Sequence, residues 1–358
     1  MQASSPMLPP ELERIIFEIA ALARPTFIPR LMRTARRVKI WVEPLLYRSV
    51  FIPVIYLPDS YNIKGFPRFT VDQLLCKPPS FLQSTVKYMY LDREFDDLEE
   101  LETLLRTCGG VHTLALFGAP RLRLQGLSSD LLPGLRRLSV DWASLFGHQS
   151  ALVAHPLLHN LTHLEILSLE WSSRTQNLFA DLAVLPHLTH FALNNLPYDY
   201  IQRFDALRIA LRGNLQLSHV VLLSSNMDEL RAAELLAEDI RFMCTDFENR
   251  TSPWTFGIDS GDDFWTLAEV FIAARRAGKV DRSMYIVPRG DESWRTGAVP
   301  GSSRSLSSDP SRHYGEFTWI TRQFYGVERQ SIERRRSTRV AGDALHGDDA
   351  RVDNEGSE

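Results

Sequence analysis

Residues 86–116 have the sequence VKYMYLDREFDDLEELETLLRTCGGVHTLAL, which contains one complete unit of a repeat. The unit opens with Val86-x-x-Met89-x-Leu91, and alternating apolar residues of this kind are typical of a short strand with one face in a core. Leucines three and four residues apart then predict an amphipathic helix over 97–108, and Gly109-Gly110 is a suitable end for it. The opening pattern returns at Val111.

This opening pattern occurs six times along the chain. The matches begin at successive intervals of 25, 24, 29, 24 and 29 residues, which indicates an internal repeat. The pattern resembles a degenerate leucine-rich repeat, and the resemblance implies a curved array with parallel strands on one face and helices on the other. A non-repeat α/β domain with several buried strands is the alternative. The six matches begin at Val86, Val111, Leu135, Leu164, Leu188 and Leu217.

The stretch before the repeats, residues 8–50, is predicted to form two or three short helices. Pro9-Pro10 suits a first helical turn, and apolar residues follow at i, i+3, i+4 and i+7 from Leu12. Pro25 ends this helix, and the same spacing predicts a second short helix after it. A third helix begins near Val38, with Pro44 expected to kink or restart it.

Three blocks of this stretch resemble an F-box in the divergent form of mushroom-forming fungi. They are Leu8-Pro9-Pro10-Glu11-Leu12, the isoleucine stripe from Ile15 to Ile19, and residues 37–48 around Trp41. The resemblance implies a substrate-recognition adaptor of a cullin-type (SCF) ubiquitin ligase, with a Skp-family linker protein and a cullin scaffold as partners. The residues that it implies for contact with the linker are Leu8, Pro9, Leu12, Ile15, Ile16, Ile19, Val38 and Trp41.

A second interpretation of the same helices requires no ubiquitin role. Repeat arrays need terminal caps that shield their open ends. Residues 8–50 precede the array directly, which is also where a cap would lie. The alternative function is therefore a repeat-type scaffold for protein interactions.

The remaining segments complete the expected domain organisation. Residues 51–85 are predicted to be a connector with a first, imperfect repeat, and residues 86–290 the array with its closing cap. Within the array, 229–243 is predicted as a helix, 254–258 as a strand, a helix follows Asp262-Asp263, and 284–287 is the last strand. Residues 291–358 are rich in Ser, Arg, Gly and acidic residues, which predicts a mostly disordered tail.

These patterns predict the α/β class: an F-box-like helical module, then an irregular leucine-rich-repeat-like solenoid with a parallel sheet, then the tail. A target protein is expected to bind exposed residues on the strands of the array. Alternation within the repeat selects the candidates His112, Arg136, Glu165, Thr189 and Ser218.

Composition narrows the class of protein. A net charge of −4 predicts no strong electrostatic attraction to nucleic acid or to an anionic membrane. Three scattered cysteines form no CxxC pair, which argues against a disulfide framework and a cysteine zinc site. The sequence shows no signal peptide and no long apolar run. The expected location is intracellular, in the cytoplasm, the nucleus or both.

Histidine spacing and short motifs bear on catalysis and metal binding. His155, His159 and His163 stand at helical spacing, but Pro156 and the strand expected after them break any helix through all three. The sequence contains no HExxH, GxSxG or GxxxxGK[ST] motif. We therefore expect no enzyme, no cofactor and no metal.

Overall fold

The structure of the 358-residue chain is a computed structural model. The described residues all belong to one compact unit, residues 1–308. The structure describes residues 8–53, 68–92, 95, 98–117, 127, 130–141, 156–167, 182, 185–194, 204–213, 215–224, 230–231, 233–246, 263–287 and 294.

The N-terminal stretch forms three α-helices, as its apolar spacing predicts. They are α1 (Pro10–Ala23), α2 (Ile28–Leu31) and α3 (Arg36–Tyr47), with a 3-10 turn at Pro25–Phe27. Helix α3 continues through Pro44, which excludes a restart, one of the two effects expected of this proline. The helices share a small core, which comprises Ala21, Ile28, Val38 and Val42.

A parallel sheet follows, and its strands lie side by side in the order of the sequence. Nine strands are found among the described residues, and each pairs in parallel with its neighbours in the sequence, so that β1 and β9 are the two edges. The protein is therefore of the α/β class. The strands are β1 (Ser49–Pro53), β2 (Tyr88–Asp92), β3 (Thr113–Phe117), β4 (Arg137–Val140), β5 (His163–Ile166), β6 (His190–Asn194), β7 (His219–Ser224), β8 (Phe242–Asp246) and β9 (Ile286–Val287).

Parallel neighbours need a crossover connection, and helices supply several of them. The sheet begins at Ser49, so the segment predicted as a connector already contributes a strand and two helices. The helices between and after the strands are α4 (Val71–Leu75), α5 (Pro79–Thr85), α6 (Leu98–Thr107), α7 (Phe204–Gly213) and α8 (Phe264–Arg276). Shorter 3-10 helices lie at Pro156–Leu158 and Ala233–Leu236.

The repeated apolar position forms one continuous row across the sheet. Every member of the row is at most 3% exposed, so the row is a core. This register confirms five of the six predicted repeat positions. The row runs Val50, Met89, Leu114, Leu138, Leu164, Phe191, Val220 and Phe242.

The fourth repeat was assigned three residues too late. Leu164 pairs with Leu138 and Phe191, so this unit begins at Leu161 rather than at Leu164. Both frames satisfy the same spacing, because apolar residues also occupy 167 and 169. Only pairing with the neighbouring strands distinguishes them.

The last part of the sheet differs from the prediction. The helix predicted over 229–243 was wrong from residue 237 onward: the structure has a 3-10 helix at Ala233–Leu236, then a turn, and then strand β8 from Phe242. Helix α8 forms as expected after Asp263, and Gly278 follows it with a φ of 70°. The predicted strand over 254–258 and, apart from Trp294, the predicted tail over 291–358 lie outside the described residues.

Helix α8 packs on the second face of the sheet. Ala192, Val221 and Met243, which alternate with the apolar row, share a buried cluster with the helix residues Phe271 and Ile272. The cap that was predicted to close the array therefore includes a helix that covers β6, β7 and β8. In this region the sheet is buried on both faces.

Candidate functional site

Helix α1 exposes one apolar face. Six large apolar side chains along this face are between 48% and 61% exposed, although they are spaced as a helix stripe that normally faces a core. We call this set the α1 surface. It consists of Leu8, which directly precedes the helix, and of Leu12, Ile15, Ile16, Ile19 and Leu22.

The opposite side of α1 holds the helix in its cluster. Ala21 is fully buried, and Phe17 packs against the same core. Val38 is 1% exposed, so this predicted contact residue lies inside the cluster and not on its surface. Trp41 is half-buried at the edge of the same core, whereas Pro9 is exposed. Burial separates these residues, whereas the resemblance to an F-box assigned all of them to contact with one partner.

The candidates for target binding line the edge where the strands begin. His112, Arg136, Thr189 and Ser218 each precede a strand by one residue, and backbone hydrogen bonds join the first two directly, with Arg136 N 2.8 Å from His112 O. His112 and Arg136 are exposed, while the two hydroxyl residues are half-buried. His112 and Arg136 therefore remain candidates for target binding, because their side chains are exposed at this edge.

Glu165 was expected to be exposed, and this was wrong. It is 1% exposed, because the corrected register places it on the second face and places Thr162 in the edge row. Ser139 Oγ and Asn194 Nδ2 donate hydrogen bonds to its two oxygens at 2.6 and 3.0 Å. Burial raises the pKa of Glu165 to about 7. This carboxyl therefore links three strands inside the protein.

Three histidines stack beside Glu165 at the starts of β5, β6 and β7. The rings of His163 and His190 have centroids 4.0 Å apart at an interplanar angle of 10°, and those of His190 and His219 4.3 Å at 6°. Trp265 of α8 meets the first two rings edge-on, at 5.1 and 5.8 Å. The stack was not predicted from the sequence, although Leu-Thr-His or Leu-Ser-His occurs at the start of three consecutive strands.

Burial and nearby positive charge keep these rings neutral. Burial, followed by His190 and Arg137, lowers the pKa of His163 to about 2. Burial, followed by His219 and Arg137, lowers the pKa of His190 to about 3. Burial and Arg276 lower the pKa of His219 to about 4. All three imidazoles are therefore neutral near pH 7.

Two of the stacked histidines meet an acidic residue of α8. One ligand atom from each of His163, His190 and Glu269 lies within 4.8 Å of the other two. Imidazole nitrogens and carboxylate oxygens are ligands for transition metals. The set considered from the sequence was different: His159 is exposed, and His155 lies outside the described residues.

A cavity of about 550 Å³ lies beside α7 and α8, and none of the stacked histidines lines it. Charged side chains of both signs line it, among them Arg208, Arg212, Glu238 and Asp239. The predicted site residues do not line it. It therefore adds no support to the expected partner or target surfaces.

No protein-family model matches this chain, and a comparison with curated proteins gives no match. In the part of the chain that the structure describes, no helix has the length and apolar character needed to cross a membrane. The resemblances to an F-box and to leucine-rich repeats remain predictions from the sequence.

Proposed function

We propose that this protein is a substrate-recognition adaptor of a cullin-type ubiquitin ligase, in which the α1 surface binds a Skp-family linker. The observation that carries the proposal is the exposure of the α1 surface, whose six large apolar side chains lie on one face. Contiguous exposed apolar patches mark interaction sites on globular proteins. Five of these residues, Leu8, Leu12, Ile15, Ile16 and Ile19, belong to the blocks that resemble an F-box.

The α1 surface has enough apolar area to support binding. Burying a leucine or isoleucine completely contributes about 1.5–3 kcal/mol, and these side chains are about half exposed. Covering six of them therefore contributes on the order of 5 kcal/mol or more before the costs of association. Adjacent polar contacts would supply orientation.

The competing function, a scaffold with an N-terminal cap, is less well supported. A cap would bury its apolar stripe against the array. Helix α3 does contact the array, since Tyr47 is 2% exposed and its ring lies 5.0 Å from that of Phe69. The α1 surface belongs to the other side of the cluster from Ala21 and Phe17. Exposure of that surface favours a partner over a cap.

The array would hold the target in this proposal. A parallel sheet with its strands in sequence order supports a leucine-rich-repeat-like solenoid. The exposed edge residues His112 and Arg136 are the retained candidates for target contact. The adaptor role assigns no catalytic residue to this chain, because an adaptor acts by raising the effective concentration of a target lysine.

Binding to a purified Skp-family linker tests the proposal. The wild-type chain should retain the linker in a pull-down and co-elute with it in size-exclusion chromatography. The double variant Leu12→Asp/Ile16→Asp should lose the complex, because two carboxylates would be buried without partners. A matched control is Leu215→Asp/Leu235→Asp, which changes two exposed leucines elsewhere and should keep it.

Two outcomes would reject the adaptor role. A wild-type chain that does not bind the linker rejects it directly. So does a double variant that binds as well as the wild type while keeping the same circular dichroism spectrum. Reduced solubility of the variant without any partner would instead support the scaffold function.

A further inference from the structure

We propose that His163, His190 and Glu269 form a binding site for a divalent transition-metal ion, and that Zn²⁺ is the cation that fits it best. The three residues come from β5, β6 and α8, and their ligand atoms lie within 4.8 Å of one another. Two imidazoles and one carboxylate form a known zinc ligand set with a fourth position open to water. The inference is independent of the adaptor role.

The hydrogen bonds at Nδ1 are compatible with the tautomer that a metal ligand needs. Thr162 Oγ1 lies 2.8 Å from Nδ1 of His163, and Thr189 Oγ1 lies 2.8 Å from Nδ1 of His190. Each hydroxyl also donates its single proton to a backbone carbonyl of the preceding repeat, at 3.2 Å in both cases. When the hydroxyl donates its proton to that carbonyl, its oxygen accepts from the ring, and the ring proton then lies on Nδ1.

The opposite nitrogen of each ring therefore presents a lone pair. Within the described residues, Nε2 of His163 and Nε2 of His190 are buried and have no hydrogen-bond partner. Neutral imidazole is the form that binds metal, and a hydrogen bond to the other nitrogen is the usual way to orient it.

The carboxylate of Glu269 faces the same nitrogens. Its Oε1 lies 3.4 Å from Nε2 of His190. With the proton of the ring on Nδ1, both of these atoms are acceptors, and two acceptors at this distance repel each other. A cation between them turns the repulsion into coordination. In this tautomer the contact is not a hydrogen bond, and a cation would bridge the two atoms.

Small side-chain rotations are enough to close the site. Ligand atoms about 2.0–2.1 Å from a tetrahedral Zn²⁺ are about 3.3 Å apart, so the present spread must contract by at most about 1.5 Å. The two histidine rings are nearly parallel, and one of them has to turn so that both lone pairs point at the ion. Glu269 is the adaptable ligand, because 46% of its side chain is exposed.

The surroundings favour a bound cation in two further ways. The exposed side of Glu269 gives an ion and its water access from solvent, whereas Trp265 covers the edges of the rings. The positive charge of Arg137 is offset by Asp263, whose Oδ2 lies 2.8 Å from the Arg137 Nη1 atom. A bound ion would tie α8 to β5 and β6, and thus stabilise the packing of the helix on the sheet.

The experiment is a Zn²⁺ titration of the purified full-length chain after treatment with a chelator, followed by calorimetry and by thermal unfolding. We expect one tight site and a rise in the melting temperature with Zn²⁺. Co²⁺ should give visible absorption bands of a four-coordinate site. Glu269→Gln, His163→Gln and His190→Gln should each weaken Zn²⁺ binding by about 100-fold or more. Loss of a residue that only hydrogen-bonds to a metal ligand already weakens binding by about 10–100-fold.

Paired controls separate coordination from a general loss of structure. Thr189→Val removes the hydroxyl that orients a ligand and should weaken binding by about 10–100-fold. Ser218→Ala removes the equivalent hydroxyl beside His219, which is outside the ligand set, and should bind as the wild type does. His112→Gln and Glu238→Gln change exposed residues and should also leave binding unchanged.

The half-exposed Glu269 keeps the test decisive if a histidine variant fails to fold. The proposal is overturned if the wild-type chain has no stoichiometric site for Zn²⁺. It is also overturned if Glu269→Gln binds Zn²⁺ as tightly as the wild type, since weak surface binding through other histidines would then explain the signal.

Discussion

Nη1 of Arg137 on β4 lies 2.8 Å from Oδ2 of Asp263, the residue that caps the N-terminus of α8. The other carboxylate oxygen of Asp263 accepts hydrogen bonds from the backbone N–H and the hydroxyl of Thr266, at 2.7 and 2.8 Å. One side chain thus starts the helix and attaches it to a strand 126 residues earlier. The position of Trp265 over the histidine stack depends on this attachment.

Asp263→Ala is expected to lower the free energy of unfolding by about 2–3 kcal/mol, because it removes a helix cap and leaves Arg137 without its carboxylate partner. Asp263→Asn keeps a capping oxygen and should cost about half as much. Urea denaturation followed by circular dichroism measures both. Equal stability of the wild type and Asp263→Ala would contradict the role of this carboxylate, and Glu238→Ala provides an exposed control.

The α1 surface should tolerate charge in the isolated protein. Leu12→Asp/Ile16→Asp is expected to change the free energy of unfolding by about 1 kcal/mol or less, because both side chains are about half exposed. Val42→Asp is the contrasting variant. Val42 is fully buried, so an unpaired carboxylate there should lower the free energy of unfolding by at least about 3 kcal/mol. Thermal unfolding of both variants checks this. A double variant as unstable as Val42→Asp would show that the surface is covered.

Arg275 is a buried structural cation at the end of α8. It is 1% exposed, and its guanidinium donates to the carbonyl oxygens of Phe242 at 2.7 Å, of Ala237 at 2.9 Å and of Arg282. Arg275→Met should cost about 3 kcal/mol or more, because buried carbonyls lose their donor. Arg275→Lys should be intermediate, since an ammonium group cannot reach all three oxygens in the same plane. Urea denaturation of the two variants measures the difference, and equal stability would contradict it.

The ion pair between Asp239 and Arg241 predicts that the free energy of unfolding depends on pH. Burial disfavours the charged form of Asp239, but hydrogen bonds from Arg241, including a contact of 2.6 Å, outweigh it and lower the pKa of this carboxyl. A lowered folded-state pKa stabilises the protein above the unfolded value of about 3.9, and this contribution is lost as the pH falls through the folded pKa.

Asp239→Asn tests this dependence. At pH 7 it should be less stable than the wild type by about 1–3 kcal/mol, and the gap should narrow below about pH 4. Urea denaturation at a series of pH values measures the gap. Arg212→Gln changes an exposed cation that lines the same 550 Å³ cavity as Asp239. For this variant the difference in stability from the wild type should not narrow at low pH. A gap that is constant with pH would contradict the assignment.

Local spacing predicted most of the individual elements. Alternating apolar residues placed the six repeat strands within a few residues. Of the four leucines of α6 that were expected on one side, Leu101, Leu104 and Leu105 are buried and Leu98 is half-buried. The approach failed where two patterns overlap. Residues 242–243 fit both the end of an amphipathic helix and the start of β8, and pairing with β7 decides for the strand.

The candidate sites were predictable to different degrees. The stripe from Leu12 to Ile19 was evident from helical spacing, but its exposure was not, because an amphipathic stripe is the same whether a core or a partner covers it. Glu165 was placed on the wrong side for a related reason. A shift of register changes the face on which a side chain lies.

The sequence by itself determined the α/β class, the repeat and the short N-terminal helices, since all of these depend on the spacing of apolar residues close together in the chain. The tertiary structure decided the frame of the fourth repeat, the packing of α8 on the second face, and the meeting of His163 and His190 with Glu269. These features join residues far apart in the chain, from 26 positions between Leu138 and Leu164 to 106 between His163 and Glu269, and the complementary packing of whole elements sets them.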